Sequence, residues 1–499
     1  MTLSLILEMA SAGNPDRVVV GARDGGTTAA ALACQAAGGA QLLRETGARS
    51  VAFVGVSGAA FPSVLFASAS AGLPFTPLNF RLAADQLAEL VSRLDRPVLV
   101  VDGAYRATAE PMGFPVLATE TWTADAAAAE PGNPAEVSED APAVVLYTSG
   151  TTSAPKGAVL RHSHLLSYVL HTVEFASATE DSAILVSVPP YHIAGIGAVL
   201  TNLYAGRRIV YLPNFTAAGW LELARSEAVT HAMVVPTMLA RIADELGGRA
   251  PDLPSLRAIA YGGARMPRPV LESALASFSG ADFTNAYGLT ETSSTIAVLG
   301  PEDHRAALRS DAPGVRARLG SAGRLVPGIE AQIRAENGQA LPPGHAGDLW
   351  VRGPQVSGEY VGSAASLDEH GWFHTRDLAR IDNDGFLHVL GRSDDTIIKG
   401  GENIAPAEIE EVLIRHPQVK DVAVIGVPDD EWGARLIAIA VPEAGTPPTA
   451  GELRDWTRSR LRGSRTPDEV RFVKELPYTP TGKLLRRKLT EELSAPATA

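Results

Sequence analysis

An α/β fold is predicted for this 499-residue chain, and three features predict it. β-like apolar runs alternate with amphipathic helical stretches up to about residue 390, the signature of parallel-rich sheets flanked by helices. Within that part, the texture from about 320 onward turns to short β-like pieces punctuated by Gly and Pro, a small β-rich subdomain. The tail then starts anew as an α+β module of roughly 105 residues, within the usual size of a domain.

The elements follow in order. The opening MTLSLILEMASAG has a short apolar run interrupted by Glu8 and no basic leader, so it reads poorly as a signal peptide. SVAFVGV (50–56) is a strand, and RLAADQLAELVSRL (81–94) sets Leu87, Leu90, Val91 and Leu94 on one helical face. RPVLVVD, SAILVSVPP (182–190) and RRIVYLP (207–213) are further strands. THAMVVPTMLARIADEL (230–246) and LRAIAYGG (256–263) continue the alternation. TADAAAAEPGNPAE (123–136) is of low complexity and reads as a surface linker. In the tail, PAEIEEVLIRH (406–416) has Pro and acids in its first turn, as helix starts prefer. VKDVAVIGVPD and ARLIAIAVPE are strands, and GELRDWTRSRL is a helix.

Charged residues make up 20% and hydrophobic ones 45%, as in a globular protein with a large core. The net charge of −13 argues against an extended nucleic-acid surface. No run reaches the ~20 apolar residues of a membrane span. The lone cysteine, Cys34, rules out an intrachain disulfide and a cysteine metal cage, which points to a reducing, cytoplasmic setting. Six lysines stand against 37 arginines, so a lysine inside a Gly-rich loop marks a place for a compact point charge rather than a planar fork.

Such a lysine is Lys156 in YTSGTTSAPKGAVLRH (147–162). Glycines admit backbone N–H groups to a phosphate, and hydroxyls and a lysine add donors and charge. The nucleotide-kinase P-loop is excluded, because Lys156 precedes Gly157 and no Ser or Thr follows it. By itself the segment fits a polyphosphate loop or a solvated surface loop equally well. It is read as turning from a strand toward a helix near His164. NAYGLTETS (285–293) offers Tyr287 to a purine, Thr290 to a phosphate and Glu291 to Mg²⁺, or else is simply a strand end with a capped helix start. In the stretch 371–410, Asp377 has the chemistry to accept from both hydroxyls of a ribose and Arg392 to contact sugar or phosphate. Each also has an ordinary structural use.

Taken together and in order, YTSGTTSAPKG, YGLTET, GWFHTRD, GRSDDTIIKGGENIAPAEIE and PTGKLLRRKL resemble the adenylate-forming superfamily: acyl- and aryl-CoA synthetases, adenylation domains and beetle luciferases. GLPFTPLNFRLAADQL (72–87) and VPPYHIAG (188–195) extend the likeness along nearly the whole chain. The resemblance implies a large N-terminal domain of two α/β subdomains plus the β-rich one (1–393), and a small mobile C-terminal lid (394–499). It also implies ATP, Mg²⁺ and coenzyme A as cosubstrates and cofactor, and a small-molecule carboxylic acid as substrate. A carrier protein, or release of the bare adenylate, is the alternative to coenzyme A.

Site roles follow from the same resemblance. Thr148, Ser149, Gly150, Thr151, Thr152 and Lys156 would enclose the β- and γ-phosphates, with Ser153 standing where the family usually has a third glycine. Gly262, Gly263, Ala264, Asn285, Ala286, Tyr287 and Gly288 would flank adenine. Thr290 would touch the α-phosphate, Glu291 would hold Mg²⁺, and Asp377 and Arg392 the ribose. Lys483 would bridge carboxylate and α-phosphate. Asp394 matches the hinge about which the C-terminal domain would rotate; Gly400, Gly401 and Glu402 would then face the site and line the thiol channel, and Lys399 stands with Gly400 and Gly401 among the cofactor-binding residues. His192, Ala194, Gly195, Val235, Pro236, Thr237 and Gly262 would line the acyl pocket. Ile193-Ala194-Gly195 lacks the acid that pairs with an amino acid's ammonium, which disfavours amino acids. His192 and Arg265 are the basic residues in the pocket segments, so a bulky, medium-chain, aromatic or polycyclic acid is expected, with Arg265 the feature that speaks for a second acidic group.

Overall fold

The computed structural model describes residues 1–494 except 133–134, 149–154, 364, 400–401, 430–431, 446, 462, 480–481 and 483. Two large sheets organise the first 330 residues. One has six strands in the order Val116–Ala118, Pro97–Val101, Ser50–Val54, Phe75–Pro77, Pro142–Thr148, Lys156–Arg161, all parallel except the last pair. The other has nine. Its parallel middle runs Val18–Val20, Arg208–Tyr211, Ala183–Val186, His231–Val234, Ala258–Gly262, Asp282–Leu289. Antiparallel strands close both edges: Thr27–Thr28 on one, Ser294–Leu299 and Arg324–Leu325 on the other. The central strand Ala183–Val186 is apolar and buried along its whole length, which is what a strand covered twice by helices requires.

The helices Ala29–Glu45, Ala60–Ala71 and Ile193–Ala205 contribute Leu32, Phe66 and Leu203 to one core shared with residues of both sheets, including Phe53 and Val20. The supposed linker 123–136 is a correction. Its first part lies in the helix Thr119–Ala128, whose Trp122 and Ala126 are buried. Trp122 donates from Nε1 to Ser63 Oγ at 2.9 Å, and its ring packs where Gly39 leaves room. Alanine repetition looked like low complexity, but alanine is the best helix former, and one tryptophan suffices to anchor a short helix.

The Lys156 segment is a second correction. The loop does not lead into a helix; it joins the antiparallel strands Pro142–Thr148 and Lys156–Arg161, and the helix His162–Thr172 begins only after the second strand. Val159 and Leu160 are buried and the strand also bridges to Tyr360, so the apolar run after Lys156 is a strand.

The β-rich expectation holds. Glu330–Arg334, Gly347–Arg352, Phe373–Ile381 and Leu387–Arg392 form an antiparallel four-stranded sheet. The tail packs the strands Val419–Asp429, Gly433–Pro442 and Glu469–Phe472 with the helices Pro406–Leu413 and Ala450–Arg458 around Ile404, Ile409, Leu413, Val424, Leu436 and Leu453. The hairpin Ile397–Lys399 and Glu402–Ile404 precedes it.

Candidate active site

Three neighbouring strands of the nine-stranded sheet end together: His231–Val234 leads into Val235-Pro236-Thr237, Ala258–Gly262 into Gly263-Ala264-Arg265, and Asp282–Leu289 carries Asn285 to Gly288. The carboxyl ends of such strands are where open α/β sheets bind ligands. The backbones here approach too closely for side chains. A Cβ on Gly262 would lie 2.2 Å from the Ala286 carbonyl oxygen, and one on Gly288 would lie 1.7 Å from that of Ser294. Asn285 donates from Nδ2 to the Ser321 carbonyl at 3.0 Å.

Across this edge stands the four-stranded sheet. Asp377 and Arg392 face each other in register, and Arg392 Nη1 donates to Asp377 Oδ1 at 3.1 Å. The Tyr287 hydroxyl donates to Asp377 Oδ2. Burial and the adjacent carboxylate hold the Tyr287 phenol well above its ordinary range, so it stays a donor. The phenol is thus committed through its hydroxyl to Asp377. Asp377 is 5% exposed, and it is the element that links the two sheets at this point.

Thr290 and Glu291 lie in a single turn, Thr290–Thr292, between the strand that ends at Leu289 and its antiparallel partner. Ser293 and Ser294 follow at φ of 54° and 112°, a conformation L residues hold only when their surroundings enforce it. The enforcement is visible. Thr292 Oγ1 accepts from the Leu289 N–H at 3.0 Å, and Gln355 Nε2 donates to the Thr292 and Thr295 carbonyls, both at 2.9 Å. Tyr360 donates to Glu291 Oε1 at 2.7 Å, and burial with that carboxylate nearby raises the Tyr360 phenol. Lys156 places its ammonium 5.6 Å from the centroid of the Tyr360 ring, a cation–π distance. Thr148 Oγ1 donates to the Lys156 carbonyl at 3.3 Å. A single carboxylate on a pinned turn suits Mg²⁺, which takes one or two carboxylates and completes its shell with phosphate oxygens. Among the described residues no cluster of three or more His, Cys, Asp or Glu could hold a metal.

His192 is the residue before the helix Ile193–Ala205, and its ring lies 4.6 Å from that of Tyr191. Burial, with Arg81 adding to it, pushes its imidazole down to about 4. Arg81 itself donates to the Tyr191 hydroxyl at 2.8 Å and covers Phe80. Gly195 packs on the Pro189 carbonyl, where a Cβ would come within 2.8 Å.

Residues 7–361 match the family model described as AMP-binding enzyme, and residues 408–483 match the AMP-binding enzyme C-terminal domain. The chain belongs to the AMP-binding enzyme family. This AMP-binding enzyme is 36% identical to a feruloyl-CoA synthase from Amycolatopsis sp, over 93% of this chain and 94% of that one. It is 32% identical to the fatty acid–[acyl-carrier-protein] ligase ScoC from Streptomyces coeruleorubidus, over 88% and 86%. Its structure resembles o-succinylbenzoate CoA synthetase (MenE) from Bacillus subtilis in complex with the acyl-adenylate intermediate, with a TM-score of 0.84, 30% identity and 97% of both chains covered. The adenylate-forming assignment made from the motifs, and the α/β architecture with a small C-terminal module, hold.

Several expected residues of the AMP-binding enzyme fall outside the described ones: Ser149, Gly150, Thr151, Thr152, Ser153, Gly400, Gly401 and Lys483. The neighbour of Lys483 is described. Gly482, at φ 77°, sits against Thr237, 2.9 Å separating a Cβ placed there from Thr237 Oγ1. The ammonium of Lys399, expected among the cofactor-binding residues, is engaged by both oxygens of Asp468 at 2.6 and 2.7 Å. Asp394 lies 4.0 Å from Arg376 Nη1, at the end of the four-stranded sheet. Glu402 pairs with Arg465 and accepts from Ser464. The motif reading missed Gln355 and Tyr360, which stand outside the motifs and declare themselves only by folding onto Glu291's turn. Arg265, the feature that spoke for a second acidic group, donates to the Ala407 carbonyl at 2.7 Å and to Glu411 at 2.8 Å.

Proposed function

We propose that this AMP-binding enzyme is an acid–thiol ligase that joins a bulky aromatic or otherwise hydrophobic monocarboxylic acid to coenzyme A through an acyl-adenylate. In the first step a carboxylate oxygen of the acid bonds to the α-phosphorus of ATP, the α-phosphorus to β-bridging-oxygen bond breaks, and pyrophosphate leaves. In the second, the thiol sulfur of coenzyme A bonds to the acyl carbon, the acyl–oxygen bond breaks, AMP leaves, and the thiol proton passes to water.

Both approaching partners of the first step are anions, so donors and metal must screen their repulsion. On this reading Asp377 and Arg392 orient the ribose, Gly262 to Ala264 and Asn285 to Gly288 flank adenine, and Thr290 donates to the α-phosphate. Thr148 and Lys156, with residues 149–152, hold the outer phosphates. Glu291 would hold Mg²⁺, whose charge would offset that of the phosphates. Lys483 bridges the two reacting anions. The boundary is set at 393/394 with Asp394 as hinge, so that the C-terminal module can withdraw Lys483 and bring Gly400, Gly401 and Glu402 to the thiol path. Lys399, held by Asp468, is a structural cation of the module rather than a nucleotide ligand.

One observation carries the substrate class. Of the two basic residues in the pocket segments, His192 is neutral well above pH 4 and Arg265 is spent on Ala407 and Glu411. Neither offers a charge to a second carboxylate, and burying such an anion without a partner is costly. The likeness to feruloyl-CoA synthase supports an aromatic acid. No helix among the described residues is long and apolar enough to cross a membrane. With one exposed cysteine, we place the enzyme in the cytoplasm. Incubation with ATP, Mg²⁺, coenzyme A and a carboxylate panel, read by mass for adenylates and thioesters, tests the proposal. Ferulate-like and other hydrophobic monoacids are expected to lead. A lead by acetate or malonate, or adenylates that never pass to coenzyme A, would overturn it.

A further inference from the structure

Arg265 is three residues beyond Gly262, on the turn that ends a central strand. Its two terminal nitrogens reach different groups on one helix of the C-terminal module: Nη1 donates to the carbonyl of Ala407 at 2.7 Å and Nη2 to Glu411 Oε2 at 2.8 Å. That helix, Pro406–Leu413, also rests on the strand ending in Arg392. A Cβ on Gly391 would touch Ala407 at 4.0 Å. The same module carries Gly482, which is seated on Thr237. The guanidinium therefore spans from the nucleotide side of the large sheet to the body that delivers the Lys483 loop.

Among the arginine pairs that meet this helix, two contrast in burial. Arg486 holds Glu410 by two hydrogen bonds with side chains only 20% and 12% exposed, entirely within the module. The Arg265–Glu411 pair is 47% and 45% exposed. A buried pair is expensive to break because a charge is stranded. A half-exposed one is readily replaced by water and is worth little in static stability. Arg265 thus has the character of a releasable contact, and Arg486 that of a permanent one.

We propose that Arg265 is a positioning residue for the lid: it latches the C-terminal module in the orientation that seats Gly482 on Thr237. It thereby favours adenylate formation, and its bonds must break before a thiol can approach. This rests on the acid–thiol ligase reading above. The latch touches neither the reacting acid nor the phosphates, so its removal separates the half-reactions.

Arg265→Ala is expected to lower the kcat of acid-dependent pyrophosphate–ATP exchange by roughly five- to twentyfold, with the KM for ATP changed less than about threefold. Transfer of a preformed acyl-adenylate to coenzyme A stays at the wild-type rate or rises. Glu411→Gln, a surface change on the other partner, produces a smaller loss of the same kind, and Arg265→Lys recovers part of the activity through one bond. A parallel fall in both half-reactions, whether from misfolding or from lost nucleotide affinity, overturns the latch. So does unchanged exchange in both Arg265→Ala and Glu411→Gln. If the wild-type protein shows no exchange with any acid, the ligase reading fails first, and the latch falls with it.

Discussion

The hydroxyl of Tyr287 donates to the carboxylate of Asp377, and this bond joins a parallel strand of the nine-stranded sheet to the four-stranded sheet at the proposed ribose position. Asp377 receives a second donor from Arg392 at 3.1 Å. Its carboxylate is thus held in place from two sides before any ligand arrives, which is the preorganisation a ribose-binding acceptor needs.

The two donors predict graded effects. Asp377→Asn removes an anionic acceptor and is expected to raise the KM for ATP in pyrophosphate exchange by roughly a hundredfold, in line with about 2–3 kcal/mol for hydrogen bonds to a charged group. Tyr287→Phe leaves Arg392 in place and should cost roughly three- to tenfold. If Tyr287→Phe proved as damaging as Asp377→Asn, the phenol would be more than a support for the carboxylate.

Tyr360 holds Glu291 by a single hydrogen bond of 2.7 Å. Tyr360→Phe keeps the ring beneath Lys156 but frees the carboxylate to turn. The Mg²⁺ concentration giving half-maximal exchange should rise roughly two- to fivefold, while saturating Mg²⁺ restores most of the rate. Equilibrium binding of ATP measured with and without Mg²⁺ checks the same point without turnover: only the Mg²⁺-dependent part should weaken.

Much of the scaffold could be read from the chain because its signals are local. Alternating apolar strands and amphipathic helices need only a short window, and the helix face Leu87, Leu90 and Val91 is buried as its spacing requires. Asp377 and Arg392 were legible as chemistry but not as a pair. Their facing register across the last two strands of the four-stranded sheet joins positions that only pairing brings together. The strand Lys156–Arg161 was obscured because polar residues follow it closely, and its pairing partner Pro142–Thr148 lies across the loop. The partner of Arg265 was not legible for a related reason: a side chain's sequence neighbours say nothing of which neighbouring body it reaches, and here the contact, at Ala407, lies 142 residues later. Gln355 and Tyr360 carry no motif at all and act only through contacts made after folding.

Acid should destabilise the protein through its buried histidines. His162 is 1% exposed, its Nδ1 accepts from the Leu3 N–H at 3.2 Å, and burial pushes its imidazole down to about 4. The folded pKa lies below the unfolded value of about 6.5, so the unfolded chain binds the proton more readily. The stability this neutral ring contributes is complete above pH 6.5 and is lost as the pH falls from about 6.5 to about 4. The loss is of the order of 2–3 kcal/mol for this one site. Thermal melts between pH 7.5 and 4.5 should show the decline, and His162→Gln should flatten part of it. An identical slope in the variant would assign the acid sensitivity elsewhere.

The seat of Gly482 on Thr237 gives the most specific test of how the C-terminal module meets the large domain. Gly482 is at φ 77°, where an L residue costs about 1 kcal/mol, and a Cβ there would stand 2.9 Å from Thr237 Oγ1 and 3.0 Å from Cγ2. Gly482→Ala therefore carries two separable penalties, one in its own backbone and one against the opposing side chain. Thr237→Ala in the same protein removes both of the closest atoms and leaves the backbone cost. Pyrophosphate exchange should fall roughly tenfold or more in Gly482→Ala and recover partially, never fully, in the double variant. Thioester formation from a preformed adenylate should be largely spared in both. Were Thr237→Ala to give no recovery, the two residues would not be in contact while the acid is being activated, and the module would be closing over the site in some other orientation.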